Sequence, residues 1–162
     1  MTDKKLISTV SHARDFCMAA ENCGELGKEE FIDAMLTLLP QLYMDFSTGD
    51  TEAEEIYIHP YVDEEYYESI RRRVAALLGE DDVYLETFEE DMKYSDTPIA
   101  ASIGECIADI FQDLFNFVAA VRESGGDSLA ESFVACRDNF RAYWSQTLCN
   151  VMRALNRLRF HL

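Results

Sequence analysis

Apolar residues recur three and four positions apart along five stretches of the chain, and each stretch ends where glycine, proline or a run of acids breaks the rhythm. On an α-helix this spacing gathers side chains onto one face, so each stretch predicts an amphipathic helix. The first is expected from about Lys4 to Cys23, with Leu6, Val10, Ala13, Cys17 and Ala20 on its stripe, and CGELGK ends it. The second runs from about Lys28 to Phe46 and aligns Phe31, Met35, Leu38, Leu39, Leu42 and Phe46. Pro40 falls on its opposite face, so a bend toward the core is expected rather than a break. The third, about Asp63 to Leu78, aligns Tyr66, Ile70, Val74 and Leu77, with Gly79 as its natural stop.

Thr97 followed by Pro98 is a strong helix start. The fourth helix is therefore expected from about Pro98 to Glu123, with Ile103, Ile107, Ile110, Leu114, Phe117 and Val121 facing inward. The fifth is long, from about Ser128 to Phe160, and carries Leu129, Phe133, Cys136, Phe140, Trp144, Val151, Leu155 and Leu158. Residues 47–62, STGDTEAEEIYIHPYV, read as a connection that is polar and acidic before becoming aromatic and extended. No hairpin signal and no internal repeat appear. Amphipathic helices joined by short turns bury their stripes against one another. The expected fold is all-α: an antiparallel bundle of about five helices with a long C-terminal helix, a single domain over residues 1–162.

A chain of 162 residues buries roughly 70% of its unfolded surface, enough for a core without disulfides or metals. The N-terminal MTDKKLISTVSHARDF is interrupted by Ser8, Ser11, His12 and Arg14, which argues against a signal peptide. No stretch reaches the roughly 18 consecutive apolar residues that mark a membrane span. Cys17, Cys23, Cys106, Cys136 and Cys149 form an odd set with no C-x-x-C pair, and read as reduced thiols in a reducing compartment. A cytoplasmic location is expected.

Charge changes the picture more. The net charge is −17, and residues 45–96 hold 17 acids against 4 bases. Residues 137–162 carry five arginines against Asp138 alone. An acidic middle and a basic end face each other or face different partners. The overall sign disfavours nucleic acid, whose phosphates are bound by neutralising them.

The histidines offer no catalytic pair. His12 has no acid or thiol partner evident in sequence, His59 lies in the connection, and His161 is at the end of the chain. Phosphate-binding and nucleophile-elbow motifs are absent. The dense tyrosines Tyr57, Tyr61, Tyr66, Tyr67, Tyr84 and Tyr94 read first as seals of the connections onto the bundle, and second as a recognition surface. The acids leave two readings open. Glu105, Asp109 and Asp113 climb one side of the fourth helix at four-residue spacing, while Arg137 lies within the apolar arc of the fifth and Arg141 on its flank. A charge aimed at a core needs a partner, so an ion pair from Asp113 to Arg137 or Arg141 is expected, with Glu105 and Asp109 solvated. The sharper reading takes Glu86 and Glu89 from ETFEED together with Glu105 and Asp109 from ECIAD as magnesium ligands. Some all-α nucleotide pyrophosphatases hold magnesium with E-x-x-E on one helix and E-x-x-D on the next. Here the second pair is four apart rather than three, and no base lies nearby for phosphate.

Three segments, YYESIRRRVAALLGEDDVYLETFEE, ECIADIFQDLF and FRAYWSQTLCNVMRALNRL, resemble an uncharacterised bacterial family, the domain of unknown function DUF5063, over roughly residues 30–160. The resemblance implies a helical bundle in a bacterial cytoplasm and supplies no activity. Relatives tend to have histidines around the tryptophan where this chain has Tyr143 and Thr147; a site built on those histidines would be missing here. Of the seven acids between Gly79 and Met92, only Glu80 and Asp82 (with Tyr84) belong to the family's pattern, so most of the seven look like local surface.

The leading expectation is a small acidic protein that acts by binding, as a module whose acidic middle meets the basic face of another protein, without a cofactor. The alternative is a metal-dependent phosphohydrolase of the all-α nucleotide pyrophosphatase kind, using magnesium. A homodimer built on the long fifth helix is a third possibility.

Overall fold

The computed structural model describes residues 2–86 and 99–162. Among them are six helices of at least 11 residues: α1 (Asp3–Glu21), α3 (Lys28–Thr48), α4 (Glu64–Leu78), α5 (Ile103–Glu123), α6 (Leu129–Asn139) and α7 (Ser145–Phe160). A single turn, α2 (Cys23–Leu26), fills the break after α1. The fold is all-helical, as the periodicity predicts. α5 is its centre and packs against α1, α4, α6 and α7, while α3 packs against α1 and α7. The most apolar stretch of the sequence takes this place because burying it on several sides removes the most apolar surface from water. Ile103, Ile107, Ile110, Phe111, Leu114 and Phe117 are fully buried.

One end of the core is aromatic. The Phe46 ring stacks on Phe133 with centroids 5.2 Å apart and meets Trp144 edge-on at 5.1 Å. Gly49, just past the end of α3, is buried beside it, and a Cβ there would lie 2.4 Å from the Phe133 ring. Pro40 is on the solvent face of α3, and the helix continues through it to Thr48.

The structure corrects two expectations. The fourth helix does not begin at Pro98: residues Ile99–Ser102 form a strand, β2, and α5 starts at Ile103 with the Ser102 side chain capping it. Thr97 and Pro98 lie outside the described residues. β2 pairs antiparallel with β1 (Val83–Glu86), Val83 opposite Ser102 and Glu86 opposite Ile99, so a small sheet stands where no hairpin signal was read. The 13-atom ring of an α-helix needs an N–H four residues on; here the Ser102 hydroxyl takes the Glu105 N–H instead and sets the boundary.

The long C-terminal helix forms as expected, from Leu129 to Phe160, with one irregular turn. Between α6 and α7, residues Phe140–Trp144 form a π turn in which the Ser145 N–H donates to the Phe140 carbonyl, five residues back. The cause is in the spacing. Cys136, Phe140, Trp144 and Leu148 are all buried and each is four residues from the next. At 3.6 residues per turn such a run drifts by about 40° at every step, and one wider turn brings it back to the core.

Candidate functional site

The acids of the middle region divide into buried and exposed groups. After α4 the chain makes a 3-10 turn over Gly79–Asp82, with Glu80 and Asp81 exposed and Asp82 only 8% exposed. Asp82 accepts from the Ser102 hydroxyl at 2.7 Å and from the Gly104 N–H at 2.7 Å. It thereby satisfies a free N–H of α5's first turn with a negative charge, where the helix dipole favours one. Asp81 pairs with Lys28 at the start of α3. These two acids are structural.

Strand β1 alternates. Its inward residues, Tyr84 and Glu86, meet α5, and the only polar residues of β1 are thereby turned into the protein rather than out of it. Glu86 is 4% exposed. The Tyr84 hydroxyl lies 3.3 Å from Glu86 Oε2, to which it donates, and 3.2 Å from Cys106 Sγ. Together with Glu105, Cys106 and Asp109 of α5, Ala100, Ala101 and Ser102 of β2, and Thr147 and Asn150 of α7, they line a pocket of about 260 Å³. Among the described residues no lysine, arginine or histidine lines it.

Burial governs the chemistry here. It pushes the Cys106 thiol up to about 11, an effect only partly offset by the hydrogen bond with Tyr84. Burial also raises Tyr84, and the neighbouring Cys106 adds to this. Both groups therefore stay protonated near neutral pH, and Cys106 is not a thiolate nucleophile. Asp109 is raised by burial and held back by the Tyr67 hydroxyl, which donates to its Oδ1 at 2.5 Å. The pocket thus presents carboxyl groups positioned by two tyrosine hydroxyls, a setting for a cation rather than an anion.

The structure brings Glu86, Glu105 and Asp109 to this one pocket, as the magnesium reading requires of them; Glu89 lies outside the described residues. Among the described residues no group of three or more His, Cys, Asp or Glu side chains is arranged to hold a metal ion. Asp109 is half-buried rather than solvated, and Glu105 is exposed.

The expected ion pair on the other side of α5 takes a different form. Arg137, its side chain 11% exposed, donates to the carbonyls of Thr51 at 2.6 Å and Gly49 at 3.4 Å, and to Asp138. Carbonyls at the end of α3 are a natural partner because the helix C-terminus carries partial negative charge. Asp113 meets Asn139, whose side-chain N–H donates to it at 3.3 Å, instead of a cation. Burial pushes the Asp113 carboxyl up to about 6, with Asp109 adding to the rise. Arg141 is exposed and makes no ion pair among the described residues.

Sequence reasoning missed several partners. His12 Nδ1 lies 2.6 Å from Asp45 Oδ2, joining α1 to α3 across 33 residues, where no acid was expected. Thr147 and Asn150 reach the pocket through the π turn. Tyr84 and Cys106 were legible in part: Tyr84 sits two residues before Glu86, and Cys106 sits between Glu105 and Asp109.

The family model described as Domain of unknown function (DUF5063) matches residues 1–161, and the chain belongs to that family. The crystal structure of protein BF1032 from Bacteroides fragilis, a Northeast Structural Genomics Consortium target, is similar, with a TM-score of 0.81 and 31% sequence identity over 97% of this chain and 93% of that one. No curated protein matches the chain. No helix among the described residues is long and apolar enough to cross a membrane.

Proposed function

We propose that this member of the DUF5063 family acts by binding, and that its pocket receives a basic side chain of a partner protein. One observation carries the reading: Glu105 and Asp109, with Glu86 beside them, line a single pocket whose lining among the described residues includes no basic side chain. A lysine or arginine side chain supplies positive charge and hydrogen-bond donors to Glu105 and Asp109. Elsewhere on the surface Glu52, Glu54, Glu55, Glu64 and Glu65 are exposed and make no ion pair among the described residues. Surface charge of one sign draws in a basic face and speeds encounter.

A short lysine-rich peptide followed by fluorescence anisotropy tests this. Binding is expected at low salt and weakens toward physiological salt, where exposed charges are screened beyond about 8 Å. A Glu105→Gln, Asp109→Asn double variant is expected to weaken binding about tenfold by faster dissociation. A Glu52→Gln, Glu54→Gln pair slows association instead. Binding indifferent to both salt and the pocket substitutions would overturn the reading.

A second reading places magnesium in the pocket that Glu86, Glu105 and Asp109 line, as part of a metal-dependent phosphohydrolase, although among the described residues no three such side chains are arranged to hold a metal ion. Magnesium takes carboxylate oxygens, and a metal bound only to the folded state raises the melting temperature by mass action. A magnesium-specific rise, absent with sodium at equal ionic strength and abolished in the Glu105→Gln, Asp109→Asn variant, would favour the enzyme. Equal melting in the two salts would sink it.

A further inference from the structure

Asp113 stands one helical turn beyond the acidic pocket. It follows Asp109 by four residues on α5, so the two carboxylates share a side of the helix about 6 Å apart along its axis. Asp109 lines the pocket and Asp113 does not. Each is held by a neutral donor. The Tyr67 hydroxyl of α4 meets Asp109 at 2.5 Å, and the Asn139 side-chain amide at the end of α6 meets Asp113 at 3.3 Å.

Among the described residues no cation pairs with Asp113. From α6, Cys136 Sγ donates to the Asp113 carbonyl at 3.8 Å, and burial keeps that thiol protonated. Arg137 of the same helix turns to the carbonyls of Thr51 and Gly49, and Arg141 of the π turn makes no ion pair among the described residues. From α4, Arg71 is held by Glu68. From α7, the neutral Thr147 and Asn150 stand beside Asp109, and α1 contributes the buried thiol of Cys17 near Cys136. The charge that bears on Asp113 is that of Asp109. Burial pushes the Asp113 carboxyl up to about 6, and the like charge on Asp109 adds to the rise. A cation that pairs with Asp109 removes this second cause.

We propose, on the reading that the acidic pocket takes a basic side chain, that Asp113 is the pocket's proton sensor: in mildly acidic solution it keeps its proton while the pocket is empty and releases it to solvent when a cation pairs with Asp109. The partner's positive charge is thereby exchanged for a proton. Linkage is reciprocal, so loss of that proton as pH rises strengthens binding by the same factor. Asp113 touches no ligand; it acts through Asp109, and its bond with Asn139 fixes it there.

Calorimetric titration of the full chain with a short lysine-rich peptide, at about pH 5, 6 and 7.5 and constant ionic strength, tests the exchange. At about pH 6, in two buffers of different ionisation enthalpy, the parent is expected to release a fraction of a proton on binding, and Asp113→Asn less than half as much. Asparagine mimics the protonated carboxyl. The variant is therefore expected to match the parent at about pH 5 and to bind about fivefold more weakly at about pH 7.5, the low end of typical couplings. A carbon NMR titration of the Asp113 carboxyl needs no ligand, and its midpoint is expected to fall in Asp109→Asn. A melting curve for each variant establishes that it is folded. An Asp113→Asn variant that matches the parent at every pH, or an Asp113 midpoint that ignores Asp109→Asn, would overturn the exchange and leave the binding reading standing. A peptide that binds at no pH would overturn the binding reading and the exchange with it.

Discussion

Asp82 Oδ1 lies 2.7 Å from the Gly104 amide nitrogen, across 22 residues of chain, and holds the turn after α4 against the first turn of α5. The second oxygen takes the Ser102 hydroxyl, whose own oxygen accepts from the Glu105 N–H. One carboxylate thereby organises the start of the central helix and the end of β2. That sheet carries the acidic pocket on one face.

Replacing Asp82 by alanine is expected to destabilise the protein by about 3 kcal/mol, because a charge-assisted bond is lost and a buried N–H is left without a partner. Asp82→Asn keeps one carbonyl acceptor for Gly104 and is expected to lose about half as much. Urea unfolding of the three proteins checks the order. Equal stability of Asp82→Ala and the parent would show that the carboxylate does not hold the helix start.

Gly104 is where α4 and α5 approach most closely at this end. A Cβ at that position would lie 2.7 Å from the Arg71 carbonyl oxygen and 3.2 Å from the Ala75 nitrogen, both backbone atoms of α4. Alanine favours a helix over glycine by roughly 1 kcal/mol, while overpacking costs roughly 1–3 kcal/mol. Backbone cannot rotate aside as a side chain does, so the clash wins. Gly104→Ala is expected to lower stability by about 1–2 kcal/mol, and a stabilised variant would contradict the close approach.

Asp113 makes stability depend on pH. Its folded value is pushed up to about 6 by burial, above the roughly 3.9 of an unfolded aspartate. The folded chain therefore holds this proton more tightly than the unfolded chain does. The resulting stabilisation is fully present below about pH 4 and is lost as pH rises through 6. An Asp113→Asn variant keeps the oxygen that accepts from Asn139 and lacks the titration. The stability of the variant relative to the parent is expected to improve by about 2–3 kcal/mol between pH 4 and pH 7. Parallel stability curves for the two proteins would contradict a buried Asp113.

Cys149 is exposed, Cys17, Cys23 and Cys136 are buried, and Cys106 is half-buried with its thiol pushed up to about 11. Thiolate is the reactive form. Iodoacetamide at neutral pH is expected to label Cys149 first and to leave Cys106 unmodified until the chain unfolds. Mass spectrometry of peptides from briefly treated protein reads this directly. Early labelling of Cys106 would show that its contact with Tyr84 does not protect it.

The amino-acid sequence by itself determined which segments are helical and which faces they bury, because a 3.6-residue repeat needs only near neighbours to be expressed. Phe46, Leu114 and Trp144 were legible as core for that reason. The acidic pocket was legible only as a set of carboxyls on ECIAD and the run before it. Other decisions belonged to tertiary structure. The four residues of β2 have no local reason to leave the helix that follows them; pairing with β1 decided their form, and strand pairing depends on contacts distant in sequence. Arg137 was readable as a charge in need of a partner, but whether Asp113 or the carbonyls of Gly49 and Thr51 supplied it depended on where the connection after α3 came to rest. His12 and Asp45, 33 residues apart, met because α1 packs on α3. Periodicity is a local property that one chain segment carries alone, whereas a hydrogen-bond partner is set by the packing of whole helices.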